Sequence, residues 1–399
     1  MNNSRILRTT NVVLLLMGYQ RHWFEKKEHR FRLSIPSVLY IFFLGVVYAA
    51  CFSQHFDTSS STLKVLKDTS PFLFGLIRMH LVLGAKAFLY AVYSSVKAVS
   101  AVNRLLEALP IRNSEFKKDE ALAYVLLSST FVILCSFAIY IAYEMKFEPP
   151  PLQDAMLGMA LFFPHLILAG SVRLYIVLSW LSRGQLKDLK KNVEEELSVN
   201  LTMDTANTAS TSVTVFTKSL ENLKTKLETL GANFFIFAQS LKHSVMFLFA
   251  MHANCLLGGI YSLTYYWNTW YVLFEDRKRR IFYAANASIY ACIASDYICL
   301  MVVLFTMENE RRNFIEAIDF LLAQRKLLSK KLRPIAKDLR GVLKTKVCFK
   351  FDKPVQSNIC YVCLMVSAQV IIITLIVTVR YLNDEILLLK EEISSTDDD

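Results

Sequence analysis

The sequence predicts an all-α membrane protein with seven transmembrane helices, a cytoplasmic N-terminus, an extracellular C-terminus, and cytoplasmic extensions of helices 4 to 7 that form an inner bundle. Three observations predict it. The chain has 399 residues, of which 54% are hydrophobic and only 20% charged, more apolar surface than one water-soluble core can hide. Seven apolar stretches are long enough to cross a hydrocarbon core of about 30 Å. Lys and Arg fall unevenly between alternate connections.

The stretches are residues 35–53, 72–96, 121–143, 156–181, 245–270, 281–306 and 357–381. The segment before the first (1–34) is too long and too basic for a cleaved signal peptide, and no small-residue cleavage site follows that first stretch, so helix 1 is expected to remain. One set of connections, 1–34, 101–120, 182–243 and 307–356, carries 32 Lys and Arg; the opposite set, with the acidic tail 382–399, carries 8. Basic residues mark the cytoplasmic side. The net charge of +11 is thereby accounted for by the membrane interface, and no nucleic acid is expected as a partner, because the basic residues alternate with apolar runs.

The resulting domain order is a cytoplasmic segment 1–34, helices 1–4 over 35–181, cytoplasmic extensions over 182–244, helices 5–6 over 245–306, a basic connection 307–356, helix 7 over 357–381, and an outer tail 382–399. Within 182–244, "RGQLKDLKKNVEEELSV" continues helix 4, and the breaker-rich stretch 200–214 reads as a linker. Phe216, Leu220, Leu223, Leu227, Leu230 and Phe234 then step by four and three, one apolar stripe feeding helix 5. Phe314, Ile318, Leu321 and Leu328 suggest a similar extension of helix 6. The stripes are expected to pack together and to hold subunits in an oligomer.

Other classes find little support. A G-protein-coupled receptor places its N-terminus outside and ties helix 3 to an outer loop by a disulfide. Here Cys51, Cys135, Cys255, Cys292, Cys299, Cys360 and Cys363 all fall in spans. There is no GxxxxGK[ST], HExxH or GxSxG, and the seven histidines show no pair at ligand spacing on one helix face, so neither enzyme activity, cofactor nor metal is expected. His80 and His165 lie in spans, open to a ligand-contacting or a hydrogen-bonded structural role. Three charges also fall in spans: Lys86, Arg173 and Asp296. Counted from the outer helix ends, Lys86 and Asp296 reach nearly the same depth, with Arg173 a competitor for the same carboxylate.

The last span ends in "IIITLIVTVRYLND" (371–384). Ile371, Thr374, Thr378 and Tyr381 share one helical face, with Arg380 about 200° from Thr378. Two hydroxyls on an apolar stripe suit a narrow pore wall; hydrogen bonds to backbone carbonyls one turn earlier are the plainer alternative.

Taken with the stretches "LLLMGYQRHWFEKKEHRFRLSIPSVLY" (14–40) and "VCFKFDKPVQSN" (347–358), the seven spans, inside N-terminus and long 6–7 connection resemble the insect gustatory receptors over the whole chain. That family's helix 7 motif, Thr-Tyr, five apolar residues, Gln-Phe, is present in degraded form. It aligns with Ile373, Thr374, Arg380 and Tyr381, or with Thr374, Leu375, Tyr381 and Leu382; the second register, which keeps the threonine, is preferred. The resemblance implies a homo- or heterotetrameric cation channel gated by small-molecule tastants, in the plasma membrane of sensory neurons, with helix 7 lining the pore. It also implies a ligand pocket in the outer half of each subunit, for which Phe137, Tyr140, Phe163, His165, Tyr265, Tyr266, Asn286 and Tyr290 are candidates. A non-conducting accessory subunit and a transporter are the alternatives.

Overall fold

The computed structural model describes residues 3–56, 63–64, 67–68, 70–109, 117–144, 152–203, 209–265, 276–323, 332–345 and 386. Eight helices and one hairpin are formed there: α1 (Asn3–Leu16), β1 (His22–Glu25), β2 (Arg30–Leu33), α2 (Ile35–Phe56), α3 (Pro71–Ala108), α4 (Lys117–Glu144), α5 (Leu152–Met203), α6 (Ala209–Tyr265), α7 (Asp276–Ala323) and α8 (Leu332–Thr345). Five of them, α2 to α6, contain stretches long and apolar enough to cross a membrane. The span expected at 281–306 lies inside α7; the one at 357–381 lies outside the described residues.

The burial pattern is that of a bundle whose solvent is lipid. On α2, Leu39, Phe42, Phe43 and Val46 are exposed, as are Leu89 and Val96 on α3, Phe131 and Ile139 on α4, and Ile298 and Phe305 on α7. In water such faces would be a large aggregation-prone patch. By contrast, 83% of the apolar window of α5 is buried, against 22% in α2 and α3, which makes α5 the central helix. Around it the packing uses small residues, as expected where lipid offers no hydrophobic drive between helices. Gly84, Ala87, Ala91, Ser94 and Ala98 form the inner face of α3, and Ser94 Oγ meets Ser244 Oγ of α6 at 2.9 Å.

The segment 1–34, expected only as a basic cytoplasmic stretch, is built structure. Leu7, Leu14 and Met17 are fully buried, and α1 packs on α4 and α5. The chain then turns at Gly18, with φ +73°, a conformation glycine adopts without penalty. Phe24 and Phe31 face each other across the hairpin, and the Asn103 side chain of α3 accepts from Phe31 N at 2.8 Å and donates to Phe31 O at 3.0 Å.

The long extensions of α5 and α6 pack together with α8 in one core, with one correction. Helix covers most of the expected linker: α5 runs to Met203 and α6 starts at Ala209, residues 204–208 lying outside the description. Leu220, Leu223, Leu227, Leu230 and Phe234 are buried within the single chain, so this stripe is core of the protomer. The amphipathic α8 closes the bundle through Ala336, Leu339, Val342 and Leu343. It is tied by Lys224 to Asp338 at 3.1 Å and Arg340 to Asp319 at 2.6 Å.

Candidate functional site

Three histidines from three helices converge near the middle of the bundle. His80 stands in the first third of α3, His165 on α5 beside Pro164, and His252 on the last third of α6. Their approach depends on two residues that remove bulk or a donor. Pro164 has no N–H for the carbonyl four residues back, which loosens α5 locally. Gly84, one turn beyond His80, leaves a notch in which a Cβ would meet Pro164 Cγ at 3.1 Å.

The rings form a ladder. His80 stacks on His165 with centroids 4.9 Å apart and planes 18° apart; His165 stacks on His252 at 4.8 Å and 12°. Tyr297 of α7 stands edge-on to His252, its hydroxyl bonded to His252 Nδ1. Nε2 of His80 lies 3.0 Å from Nε2 of His165 and 3.3 Å from the Leu161 carbonyl. Asn254 donates through Nδ2 to Leu76 O and to His80 Nδ1, both at 3.2 Å. The Cys255 thiol lies 3.5 Å from His165 Nε2 and 3.9 Å from His80 Nε2. His80, His165, His252 and Asn254 are all buried. Such a concentration of polar side chains inside an apolar bundle is costly unless partnered, and it marks a site by default.

A second buried polar centre lies on the α4 side of α5. Arg173, fully buried, donates from Nε to Asp296 of α7 at 2.9 Å. Its Nη1 bonds Leu126 O at 2.9 Å and also Thr130 Oγ1, and Nη2 bonds Ser129 Oγ at 2.9 Å. One guanidinium thus joins α4, α5 and α7, using the planar fork of donors that distinguishes Arg from Lys. Arg173 is therefore the partner of Asp296. Lys86 is a correction: it is exposed on α3, on the side of Val82 and Leu89, opposite the small-residue face. There its long stem lets the ammonium snorkel towards the interface.

Of the remaining candidates, the side chains of Phe163 and Phe137 are described. Phe163 is buried against Tyr48 and Phe88, at 6.0 and 5.9 Å between centroids, beneath the Gly18 turn; it packs α5 onto α2 and α3. Phe137 stacks on Phe162 at 4.5 Å. Tyr140, Tyr265, Asn286 and Tyr290 lie on described helices, but their side chains fall outside the described ones. Tyr266 and the helix 7 residues Ile371, Thr374, Thr378 and Tyr381 lie outside the described residues altogether.

The convergence of His80, His165 and His252 goes beyond the reading that found no pair at ligand spacing on one helix face. That reading tested spacing within a helix, whereas these three meet across helices 85 and 87 positions apart in the chain. A usable signal was present: each is an ionisable residue within a candidate span. Compared with protein-family models and with curated proteins, the chain has no significant match to either.

Proposed function

We propose that the chain is a chemoreceptor subunit of a ligand-gated cation channel, of the kind the insect gustatory receptors exemplify, responding to small-molecule tastants at the plasma membrane of sensory neurons. The observation that supports this best is the stacked His80, His165 and His252 ladder with Asn254 and Tyr297, a group of polar and π-faced side chains held inside a lipid-facing bundle. Ionisable residues at such depth serve ligands, ions or protons far more often than they serve stability.

The ligand fitting this chemistry is hydrophobic or cationic, of the bitter type. The ladder offers stacking faces, and the nearby buried carboxylate, Asp296, is already engaged by Arg173. A sugar would need several free acceptors as well as a stacking surface. The alternative of a non-conducting accessory subunit draws on Arg380 in the degraded helix 7 motif, since in one register it would ring the pore mouth with positive charge.

Expression of the chain alone with ligand-evoked current recording tests the reading. Cysteines at 374, 378 and 380 followed by a charged thiol reagent refine it. Block at 374 and 378 but not at 380 is expected of a threonine-lined cation pore. Modification at 380 alone, or no current with any tastant, favours the accessory subunit, and a response confined to simple sugars overturns the ligand class.

A further inference from the structure

His80, His165 and Cys255 present three metal-binding atoms that all lie within 4.8 Å of one another. We propose that they form a binding site for a thiophilic d10 cation, Zn2+ or Cu+, which clamps α3, α5 and α6 together inside the bundle. The inference is independent of whether the chain conducts.

The geometry is close to that of a metal-bound triad. At Zn–N of about 2.05 Å and Zn–S of about 2.3 Å, a tetrahedral ion sets its nitrogen ligands about 3.3 Å apart and nitrogen from sulfur about 3.6 Å apart. Here the two Nε2 atoms are separated by 3.0 Å, and Cys255 Sγ lies 3.5 Å from one and 3.9 Å from the other. Small side-chain rotations carry the three atoms onto one ion. Two imidazoles and a thiol from three different helices select soft or borderline cations over Mg2+ or Ca2+, which require oxygen ligands.

Two buried polar atoms lie beside the triad. Asn254 Oδ1 and His165 Nδ1 lack a hydrogen-bond partner among the described residues. A metal on His80 Nε2 requires the ring proton on Nδ1, which the Asn254 amide, rotated by half a turn, accepts through Oδ1 in exchange for its hydrogen bond to the Leu76 carbonyl. A hydrogen bond of this kind orients most metal-bound histidines. Without metal, the two facing Nε2 atoms share one proton.

Binding releases the Cys255 proton to solvent: Zn2+ and the thiol give a zinc thiolate and H+. The zinc site then carries one net positive charge and an open fourth position, which takes water or an anion. With Cu+ the same three ligands give a neutral site.

The test uses the full chain, purified in detergent and stripped of metal. Titration with Zn2+, and separately with Cu+ against a competing chelator without oxygen, is expected to show one site per chain and a raised melting temperature. Co2+ in place of Zn2+ should give tetrahedral ligand-field bands and a thiolate-to-cobalt charge-transfer band in the unaltered protein. Cys255→Ala and His165→Gln should weaken binding by at least about tenfold and remove that band, while C135A, at an exposed cysteine on α4, should change neither. Absence of uptake of either ion, a cobalt spectrum lacking the charge-transfer band, or unaltered affinity in both variants would overturn the site. The cobalt spectrum decides the matter even where a variant fails to fold, and a channel without metal affinity would sink this inference while leaving the proposed function standing.

Discussion

Arg173 and Asp296 form a buried ion pair, Nε to Oδ2 2.9 Å, between the central helix α5 and α7. The carboxylate meets one edge of the guanidinium, and the other nitrogens are spent on α4. The two partners are unequal in what happens when one is removed. A lone buried carboxyl escapes its charge by taking up a proton, a route closed to guanidinium. Asp296→Asn is therefore expected to be the worse single change, costing about 3–5 kcal/mol, with Arg173→Met milder. Combining R173M with D296N should recover most of the loss. Melting temperatures in detergent and surface expression measure this, and a double variant no better than D296N alone would refute the pairing.

Lys86 provides the contrast. Because it is exposed on the side of α3 that carries Leu89 and Val82, Lys86→Met should change stability, read from melting temperatures, by no more than a surface substitution does, about 0.5 kcal/mol. It should not rescue D296N. Rescue of D296N by K86M would show that the lysine reaches the carboxylate after all.

Asn103 holds the N-terminal hairpin by a reciprocal pair of hydrogen bonds to one residue, Phe31. Asn103→Ala loses both and leaves a part-buried strand edge unpaired, at about 1–3 kcal/mol. Hydrogen exchange should rise over residues 22–33, with protection of α5 unchanged. Asn103→Asp keeps the acceptor for Phe31 N and loses the donor, so an intermediate effect is expected.

These residues also show what was legible in the sequence and what was not. Long helices were readable because length and apolar content alone carry them; α2 to α6 fall where the apolar stretches lie. The partner of Asp296 was readable only by half. Depth counting put Lys86 nearest Asp296 with Arg173 as its competitor, yet the spacing of Gly84, Ala87, Ala91 and Ser94 marks the packed side of α3, and Lys86 is off it. The hairpin was hidden because Phe24 and Phe31 sit in a basic stretch where charge dominates, and two four-residue strands have too little alternation to stand out. The histidine ladder could not be seen from any one helix, since it exists only once α3, α5 and α6 are packed.

Gly170 marks a close approach of the N-terminal segment to α5. A Cβ there would lie 2.7 Å from Tyr19 Cβ and 3.6 Å from Met17 Cβ. Both neighbours are buried and are held at the root of their side chains, where no rotamer change makes room. Gly170→Ala should therefore destabilise by about 1–3 kcal/mol as overpacking does, despite alanine's better helix propensity. Tyr19→Ala should relieve part of that cost in a double variant; additive losses, read from melting temperatures, would argue against the contact.

The apolar stripe of α6 decides between two roles for the inner bundle. If it served only to join subunits, Leu223 and Leu227 would be bare in the single chain. They are 7% and 1% exposed, packed in one core with Leu189 and Val193 of α5 and Leu339 and Leu343 of α8. The opposite face of α6 carries Lys218, Glu221 and Lys226, all exposed, so the helix has no second apolar side to offer a neighbour at this level. Leu227→Asp is expected to cost more than about 4 kcal/mol, since it buries an unpaired carboxylate and empties a leucine site. It should lower the amount of folded protomer and open α8 to proteolysis at any protein concentration. Lys226→Glu reverses a charge on the exposed face and should leave the protomer intact. Size-exclusion profiles with limited proteolysis separate the outcomes: an L227D chain that is protease-resistant yet monomeric would return the stripe to an assembly role, whereas a protease-sensitive one places it in the protomer core.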